Sequence, residues 1–516
     1  MASQISNARM LLFIALLPWA VTALNYPSSS HNCPTSIDAA IPKGLYSLRN
    51  DQGSSYGSMH ELHSVMSTCP NITDIQLRIR LLGCSEWPDR WNLPFNQAGG
   101  DFYPSRPHTL SLEGYRFDES EWERCQPPPW MPHPDEVYPS TWYRWEAWWY
   151  TWSYWIESGK ALQWFRLRGL PDEQRAKRNL DLWLDAMDFS AVRNLTLRDV
   201  RRSESPVLVS SLSSQLAALE VLSISGPWGL DFLRALPGGS LSHLSWRFSG
   251  LAGQKLKGSA GGSDDGNTYD IGDGQNCRYL DCSCERNVQD ADAALTEIWL
   301  RHGGPQLESL EFRGMETAHR TSREALPVSQ LQTIAAAAPN LRSLTIDLDH
   351  GDGAWPEDSL RVLATEFSAL ESLTLFLELS SDCGRKSERD AYYYLSDRQA
   401  SMRMQEEQRR QPCQGDDRFL KPFVNETTAA ELFAYMKKMN VESGGGKLSK
   451  LTLYSGDWAP AWEGPLYISD WIEGRKAWAT CSEELGEEGT TITCEGKDSR
   501  FGDDWWHEDD LEDADY

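Results

Sequence analysis

A short pattern of apolar residues recurs along the chain. It reads L-x-x-L-x-L, with Ile, Val, Phe or Trp at some positions. The apolar and polar residues that alternate at its end have the period of a half-buried strand. A pattern that recurs every few tens of residues is typical of a repeat architecture. The last apolar residues of the copies, including one degenerate copy at Leu112, are Leu77, Leu112, Leu197, Ile224, Trp246, Phe312, Ile346, Leu375 and Leu453.

Helices are predicted before several of these strands. Residues 59–69 and 331–338 have apolar residues at helical spacing, and each run ends at a Pro-Asn turn. No single helix and strand can bury its apolar face alone, so stacked neighbours must form the core. The predicted fold class is α/β, a solenoid with a parallel sheet on its concave side and helices outside.

Two of the turns that precede predicted strands resemble the turns of a known type of repeat. The residues are Cys-Pro-Asn-Ile at 69–72 and Ala-Pro-Asn-Leu at 338–341. Residues 58–456 resemble the irregular, cysteine-containing leucine-rich repeats of F-box and ribonuclease-inhibitor-like proteins. The resemblance implies a protein-recognition scaffold, and it implies that Cys69 is a buried free thiol. No F-box is detectable, because residues 24–57 contain no Leu-Pro-x-Glu/Asp opening.

The N-terminal 23 residues predict a secretory signal peptide. Arg9 precedes a short apolar stretch, and Val21-Thr22-Ala23 provides small residues for cleavage after Ala23. Pro18 interrupts the apolar stretch, which is well below the roughly 20 residues of a membrane span. We therefore expect a secreted, extracellular chain that is not inserted into a membrane.

The cysteines and the glycosylation sequons are also those expected of a chain that passes through the secretory pathway. The chain has 11 cysteines, which default to disulfides in an oxidising compartment, and an odd number leaves one over. Cys481 with Cys494 and Cys383 with Cys413 are plausible local pairs. Glycosylation is predicted at three Asn-x-Thr sequons, whose asparagines are Asn71, Asn194 and Asn425.

Long segments without repeat character interrupt the predicted solenoid. The glycine-rich second insertion departs from the spacing of a calcium loop, and Cys277, Cys282 and Cys284 fit no zinc template, so no metal site is predicted. The predicted divisions are a cap or linker at 24–57, the solenoid at 58–456 with insertions at about 113–180, 250–292 and 380–417, a C-terminal cap at 457–500 and a disordered acidic tail at 501–516.

The first insertion contains nine of the 23 tryptophans. Several recur every three or four residues, which places them on one face of a helix. This face either packs on the solenoid as a lid or binds a partner, since tryptophan and tyrosine are enriched at binding hot spots. The candidate partner-binding residues here are Trp142, Trp145, Trp149, Trp152 and Trp155.

A second candidate surface is the concave face of the sheet. The residue after each strand motif points away from the core, and four of nine such residues are arginine. They form either a stripe for an acidic partner or local ion pairs with Glu113, Glu311 or Asp347. A further hypothesis places Trp505 and Trp506 of the acidic tail on this face. The candidate residues are Arg78, Arg198, Arg247, Arg313, Phe376 and Tyr454.

The net charge and the absence of known catalytic motifs exclude several classes of function. A formal charge of −26 disfavours binding to a nucleic-acid backbone. The chain contains no phosphate loop, zinc-protease helix or nucleophile elbow, so we expect neither catalysis nor a cofactor. The predicted function is recognition of an extracellular protein or glycan by a secreted leucine-rich-repeat protein. The alternative is an intracellular, F-box-type substrate adaptor of a ubiquitin ligase.

Overall fold

The computed structural model contains one extended β-sheet. It describes residues 33–41, 56–79, 88–127, 155–156, 160–226, 228–248, 288–314, 325–349, 355–378, 424–455, 477–486 and 489–497. Twelve strands occur in these ranges. They are β1 (Ser36–Ile41), β2 (Asp74–Ile79), β3 (Thr109–Glu113), β4 (Asn194–Arg198), β5 (Val221–Ser225), β6 (His243–Phe248), β7 (Ser309–Gly314), β8 (Ser343–Asp349), β9 (Ser372–Glu378), β10 (Lys450–Ser455), β11 (Ala477–Gly486) and β12 (Gly489–Lys497).

The strands are arranged in the order of the sequence. Each strand from β1 to β9 pairs in parallel with the next one, whereas β10 with β11 and β11 with β12 pair antiparallel. The sheet is therefore mostly parallel and unclosed, with β1 and β12 at its two ends. This α/β arrangement confirms the predicted parallel sheet and is compatible with a repeat solenoid.

The strand motif forms the core. Its two apolar positions in each strand lie next to the same positions of the neighbouring strand, so two continuous rows of buried side chains cross the sheet. One row runs through Ile75, Leu110, Leu195, Leu222, Leu244, Leu310, Leu344, Leu373 and Leu451. The other runs through Leu77, Leu112, Leu197, Ile224, Trp246, Phe312, Ile346, Leu375 and Leu453.

Helices form a second layer of the described structure. From β5 onward, successive helices contact one another, as the strands do. The α-helices are α1 (Met59–Thr68), α2 (Glu121–Arg124), α3 (Lys160–Arg168), α4 (Asp172–Arg175), α5 (Asn179–Ala186), α6 (Ser205–Val207), α7 (Gly229–Ala235), α8 (Val288–His302), α9 (Val328–Ala337), α10 (Glu357–Thr365) and α11 (Glu426–Glu442). Short 3-10 turns lie at Phe189–Ala191, Arg202–Glu204 and Ser213–Gln215, and a π-helical turn lies at Leu208–Leu212.

Helix α1 shows how the sequence specifies this layer. Ser58 caps the helix because its hydroxyl accepts the backbone N–H of Glu61. The apolar residues recur at helical spacing and are buried, which fixes the helix against the sheet. The predicted helices at 59–69 and 331–338 are confirmed as α1 and α9. The buried residues of α1 are Met59, Leu62, Val65 and Met66.

Two disulfides lie in the described residues. Cys481 of β11 is bonded to Cys494 of β12, which confirms that predicted pair. Cys33, just before β1, is bonded to Cys69, just before β2. The expectation of a free thiol at Cys69 is therefore wrong, because β1 pairs with β2 and brings Cys33 beside it. In the described part of the chain the free cysteine is Cys125, which is buried; Cys383 and Cys413 lie outside it.

The first predicted insertion begins where β3 ends. Gly114 turns the chain with a φ of +73°, and a Cβ there would overlap the carbonyl oxygen of Ile79. The described part of this insertion contains α2, α3 and α4. The third predicted insertion and the acidic tail lie outside the described residues, as does the second insertion up to residue 287.

The disulfide in the terminal hairpin is expected to stabilise the fold. Replacing Cys481 and Cys494 together by serine should lower the free energy of unfolding by about 3 kcal/mol, the value for a loop closed over 13 residues. Urea unfolding followed by circular dichroism measures the change. Cys125→Ser is the control, because Cys125 forms no disulfide. An unchanged midpoint in the double variant would contradict the expectation.

Candidate functional site

The nine residues that follow the strand motifs form one row across the sheet, which we call the face row. Strand pairing places neighbouring members side by side in six of the eight successive pairs, on the side opposite the buried rows. Their role in partner binding stays a prediction. In order, they are Arg78, Glu113, Arg198, Ser225, Arg247, Arg313, Asp347, Phe376 and Tyr454.

Hydroxyl side chains form a second row on the same face, two residues earlier in each strand. Eight of ten aligned residues from β2 to β11 are serine or threonine, and the hydroxyl groups of Thr452 and Thr480 lie 3.2 Å apart. The aligned residues are Gln76, Ser111, Thr196, Ser223, Ser245, Glu311, Thr345, Thr374, Thr452 and Thr480.

Local carboxylates compensate much of the positive charge of the face row. The Arg78 guanidinium lies 2.8 Å from a carboxylate oxygen of Asp38. That of Arg247 lies 2.8 Å from Glu311. Burial acts to raise the pKa of Glu311, but Arg247 and neighbouring donors outweigh it and hold that pKa below its usual value. The pair of Arg247 with Glu311 is one that the local-pairing alternative names, whereas the partner of Arg78 is Asp38.

We call Arg313, Asp347 and Phe376, in β7 to β9, the centre of the face row, and this part of the row is closed to solvent. Arg313 and Asp347 are each 2% exposed, and the Arg313 Nε lies 3.4 Å from Asp347 Oδ1. Asp347 also accepts the backbone N–H of Gly314 at 2.6 Å. The guanidinium carbon of Arg313 lies 3.1 Å from the ring centre of Phe376, and Phe376 stacks on Tyr454 at 4.5 Å. These side chains support one another, so this part of the row is a structural centre.

Of the five candidate tryptophans in the first insertion, the structure describes Trp155. Its ring is buried, and its Nε1–H donates to the carbonyl oxygen of Cys125 at 3.0 Å. Trp155 thus joins the segment after α2 to α3 within the insertion. Trp142, Trp145, Trp149 and Trp152 lie outside the described residues, so their role stays a prediction.

Three other side chains, which are not among the candidates, extend this aromatic cluster. Trp164 of α3 packs against Trp155 at 6.3 Å and stacks on Trp122 of α2 at 6.3 Å. Phe165 lies edge-on to Trp164 at 5.0 Å. Trp164 and Phe165 lie in the sequence Gln-Trp-Phe-Arg-Leu-Arg and Trp122 in Glu-Trp-Glu, both outside the regular tryptophan spacing of the predicted helix.

Helix α3 presents an apolar and basic face to solvent. Phe165 is 57% exposed and Leu162 39% exposed, and one short segment earlier Ile156 is 45% exposed. Arg166 and Arg168 are exposed at the C-terminal end of the helix. Exposed aromatic and arginine side chains are the types enriched in protein-binding surfaces.

A cavity of about 450 Å³ lies between α2, α4 and the residues next to them. Arg175 lies over the ring of Trp122 at 4.7 Å and is paired with Asp172. Both signs of charge line the cavity, so its chemistry suits polar contacts more than burial of an apolar ligand. The lining residues are Asp118, Ser120, Trp122, Glu123, Asp172, Arg175, Ala176 and Arg178.

Polar side chains connect the aromatic cluster to the segment between β2 and β3. Arg90 is buried and paired with Glu121 of α2. The amide of Asn92 donates to Glu119 at 2.7 Å, and that of Asn179 donates to the carbonyl oxygen of Leu93 at 2.9 Å. Because these bonds are directional and the ones made by Arg90 and Asn179 are buried, the network fixes the orientation of the insertion against residues 90–93.

Glu204 forms a second connection. Its carboxylate is fully buried and accepts the backbone N–H groups of Phe117 at 3.1 Å and Arg201 at 2.7 Å. Burial raises the pKa of Glu204 to about 7, although these donors and Arg116, 3.9 Å away, favour the charged form. One carboxylate thereby joins the segment after β3 to the segment after β4.

The three predicted glycosylation sites differ in surroundings. Asn71 is exposed in the turn between α1 and β2. Asn425 is half-buried and caps α11, because its side-chain oxygen accepts the N–H of Thr428 at 2.9 Å. Asn194 is half-buried at the start of β4, with its amide nitrogen 3.5 Å from the Thr109 hydroxyl. Asn71 thus has the most accessible side chain of the three.

The chain matches no protein-family model, no curated protein and no solved structure. Within the described ranges, no helix combines the length and apolar character needed to cross a membrane. The same ranges contain no group of three or more histidine, cysteine, aspartate or glutamate side chains that could hold a metal ion.

The buried ion pair of the face row should be more sensitive to substitution than the exposed one. Asp347→Ala leaves the Arg313 charge buried without its carboxylate and is expected to lower the free energy of unfolding by about 3 to 5 kcal/mol. The control Asp38→Ala breaks the exposed pair with Arg78 and should cost about 1 kcal/mol or less. Equal losses, measured by urea unfolding, would show that the centre of the row is not a structural unit.

Glu204 should make stability depend on pH. Its pKa of about 7 in the folded chain exceeds the unfolded value of about 4.5, so the folded state retains a proton that the unfolded state loses. Stability should therefore decrease as pH rises from about 5 to 7, by at most about 3 kcal/mol. Glu204→Gln removes this contribution, and the difference between the two unfolding curves measures it. Parallel curves from pH 5 to 8 would refute the assignment.

Proposed function

We propose that this chain is a secreted, non-catalytic recognition protein of the leucine-rich-repeat type that binds an extracellular protein or glycan. The observation that carries the proposal is the broad polar face of the sheet, on which successive strands hold outward side chains in register. Stacked repeats of this kind provide extended binding surfaces without a deep catalytic pocket.

The disulfides support the extracellular compartment. Cytosolic thiols are kept reduced, whereas Cys33–Cys69 and Cys481–Cys494 are bonded here. The signal-peptide sequence and the three sequons point to the same route. These features weigh against the alternative, an intracellular F-box-type adaptor, which would have reduced cysteines.

Within this proposal, the partner contacts the first insertion more than the middle of the face row. Arg313 and Phe376 are buried, so a partner cannot reach them without rearrangement. Phe165 and Arg166 of α3 are exposed and lie on a helix that the aromatic cluster holds in place. The outer parts of the face row, at Arg78 and Tyr454, remain partly accessible.

Expression of the full chain in cells with a secretory pathway tests this proposal. The protein should enter the medium with Leu24 as its first residue, lose mass on deglycosylation, and bind a member of an array of purified extracellular proteins and glycans. Phe165→Ser/Arg166→Ser should weaken that binding about tenfold or more, as loss of one hot spot does. The matched control Tyr435→Ser/Arg361→Ser changes exposed residues on α11 and α10 and should leave it unchanged.

Two outcomes would overturn the proposal. One is retention inside the cell with an intact N-terminus and 11 thiols that react with a label after denaturation without reduction. This result would favour the adaptor. The other is efficient secretion of a protein that turns over a substrate in the absence of any stable ligand.

A further inference from the structure

Backbone hydrogen bonds hold together the two chain segments that line the cavity between α2 and α4. The N–H of Asn179 donates to the carbonyl oxygen of Glu119 at 2.8 Å, and the next residue donates to that of Phe117 at 3.1 Å. Asp118 and Arg178, one from each segment, both line the cavity. These bonds keep the lining in place without a ligand, which lowers the cost of binding one.

The cavity has the size and the mixed lining of a site for a small polar ligand. Its volume of about 450 Å³ lies in the lower part of the range of small-molecule pockets, about 300 to 1,000 Å³. Trp122 and Ala176 are the apolar members of the lining. Ser120 is 5% exposed, and its hydroxyl accepts the N–H of Glu123 at 3.0 Å. The hydroxyl proton of Ser120 has no acceptor among the described residues, so a ligand can accept it.

The charges of the lining favour a neutral ligand. Arg175 and Asp172 are paired with each other. Asp118, Glu123 and Arg178 form no ion pair with another side chain of the described ranges. An anionic ligand would face the two carboxylates, and a cationic ligand would face the guanidinium of Arg178. A neutral ligand with many hydroxyl groups meets no like charge and can bond to all three.

We propose that this cavity binds a neutral sugar residue of a glycan. A sugar hydroxyl is both a donor and an acceptor, so one ring donates to Asp118 and Glu123 and accepts from Arg178. Hydrogen bonds to charged groups of this kind are the strong ones. The C–H groups of the ring pack against Trp122, because the face of an indole carries a negative partial charge.

This inference names the class of glycan within the proposed function, and it rests on that function for the source of the ligand, an extracellular glycan. The cavity and α3 belong to one insertion, because Trp122 of the lining stacks on Trp164 of α3. A glycoprotein partner would therefore place its sugar and its protein surface on the same part of the chain. The binding of a free sugar is independent of that partner and can be measured alone.

Saturation-transfer NMR with neutral sugars as probes tests the inference. The full chain, freed of any N-linked glycans of its own, is mixed in turn with glucose, galactose, mannose and N-acetylglucosamine. At least one should bind, and Asp118→Asn and Arg178→Gln should each weaken its binding about tenfold or more, as loss of a hydrogen bond to a charged group does. An increase in ionic strength from about 0.05 to 0.5 M should change the affinity less than about twofold, because salt does not screen a neutral ligand.

Matched variants separate the cavity from general charge effects. Asp358→Asn and Arg361→Gln remove the same charges from exposed side chains of α10 and should leave sugar binding unchanged. Urea unfolding verifies that all four variants fold.

Two results would overturn the inference. One is that no sugar binds, or that the cavity variants and their controls weaken binding equally. The other is binding of a free amino acid such as glutamine without binding of any sugar, which would assign the cavity to a zwitterion. A secreted chain that binds a protein through Phe165 but binds no sugar would contradict this inference alone. A chain that is retained in the cell and still binds a sugar in the cavity would contradict the proposed function alone.

Discussion

The alignment of equivalent residues between neighbouring strands is the constraint on which this structure depends. A strand of this sheet has only two core positions, exemplified by Leu195 and Leu197 in β4, and it cannot bury them without the strands on either side. Backbone hydrogen bonds fix the spacing and register between strands. A shift of one residue would move the leucines to the polar face, so register and burial enforce each other.

This constraint explains how much of the fold could be predicted from the sequence. The motif predicts the strands β2 to β10, because each copy repeats the same two buried positions. It did not find β1, since Ser-Ile-Asp-Ala-Ala-Ile at 36–41 lacks the leucines, nor the antiparallel pair β11 and β12, which follows a different pattern. The Cys33–Cys69 bond depends on β1 pairing with β2, which no local sequence feature reveals.

The candidate site was predictable only in part, for a related reason. Strand periodicity established which side chains share the outer face, but it could not determine which of them meet a carboxylate. Whether Arg313 is exposed depends on Asp347 and Phe376 in other strands. The exposed face of α3 was missed because exposure depends on how an insertion packs. The position of this insertion depends on buried contacts such as the ion pair of Arg90 with Glu121, two residues that lie 31 positions apart in the chain.

The two disulfides occupy positions with a common consequence. A row of strands unravels from its ends, because an end strand has a single neighbour. Cys33–Cys69 ties β1 to the start of β2, and Cys481–Cys494 ties β12 to β11. Both ends of the sheet are thus covalently held against fraying, whereas the described residues contain no disulfide between two interior strands. In an environment rich in proteases, the resistance of the whole sheet to cleavage therefore depends on whether the cysteines of these two terminal disulfides stay oxidised.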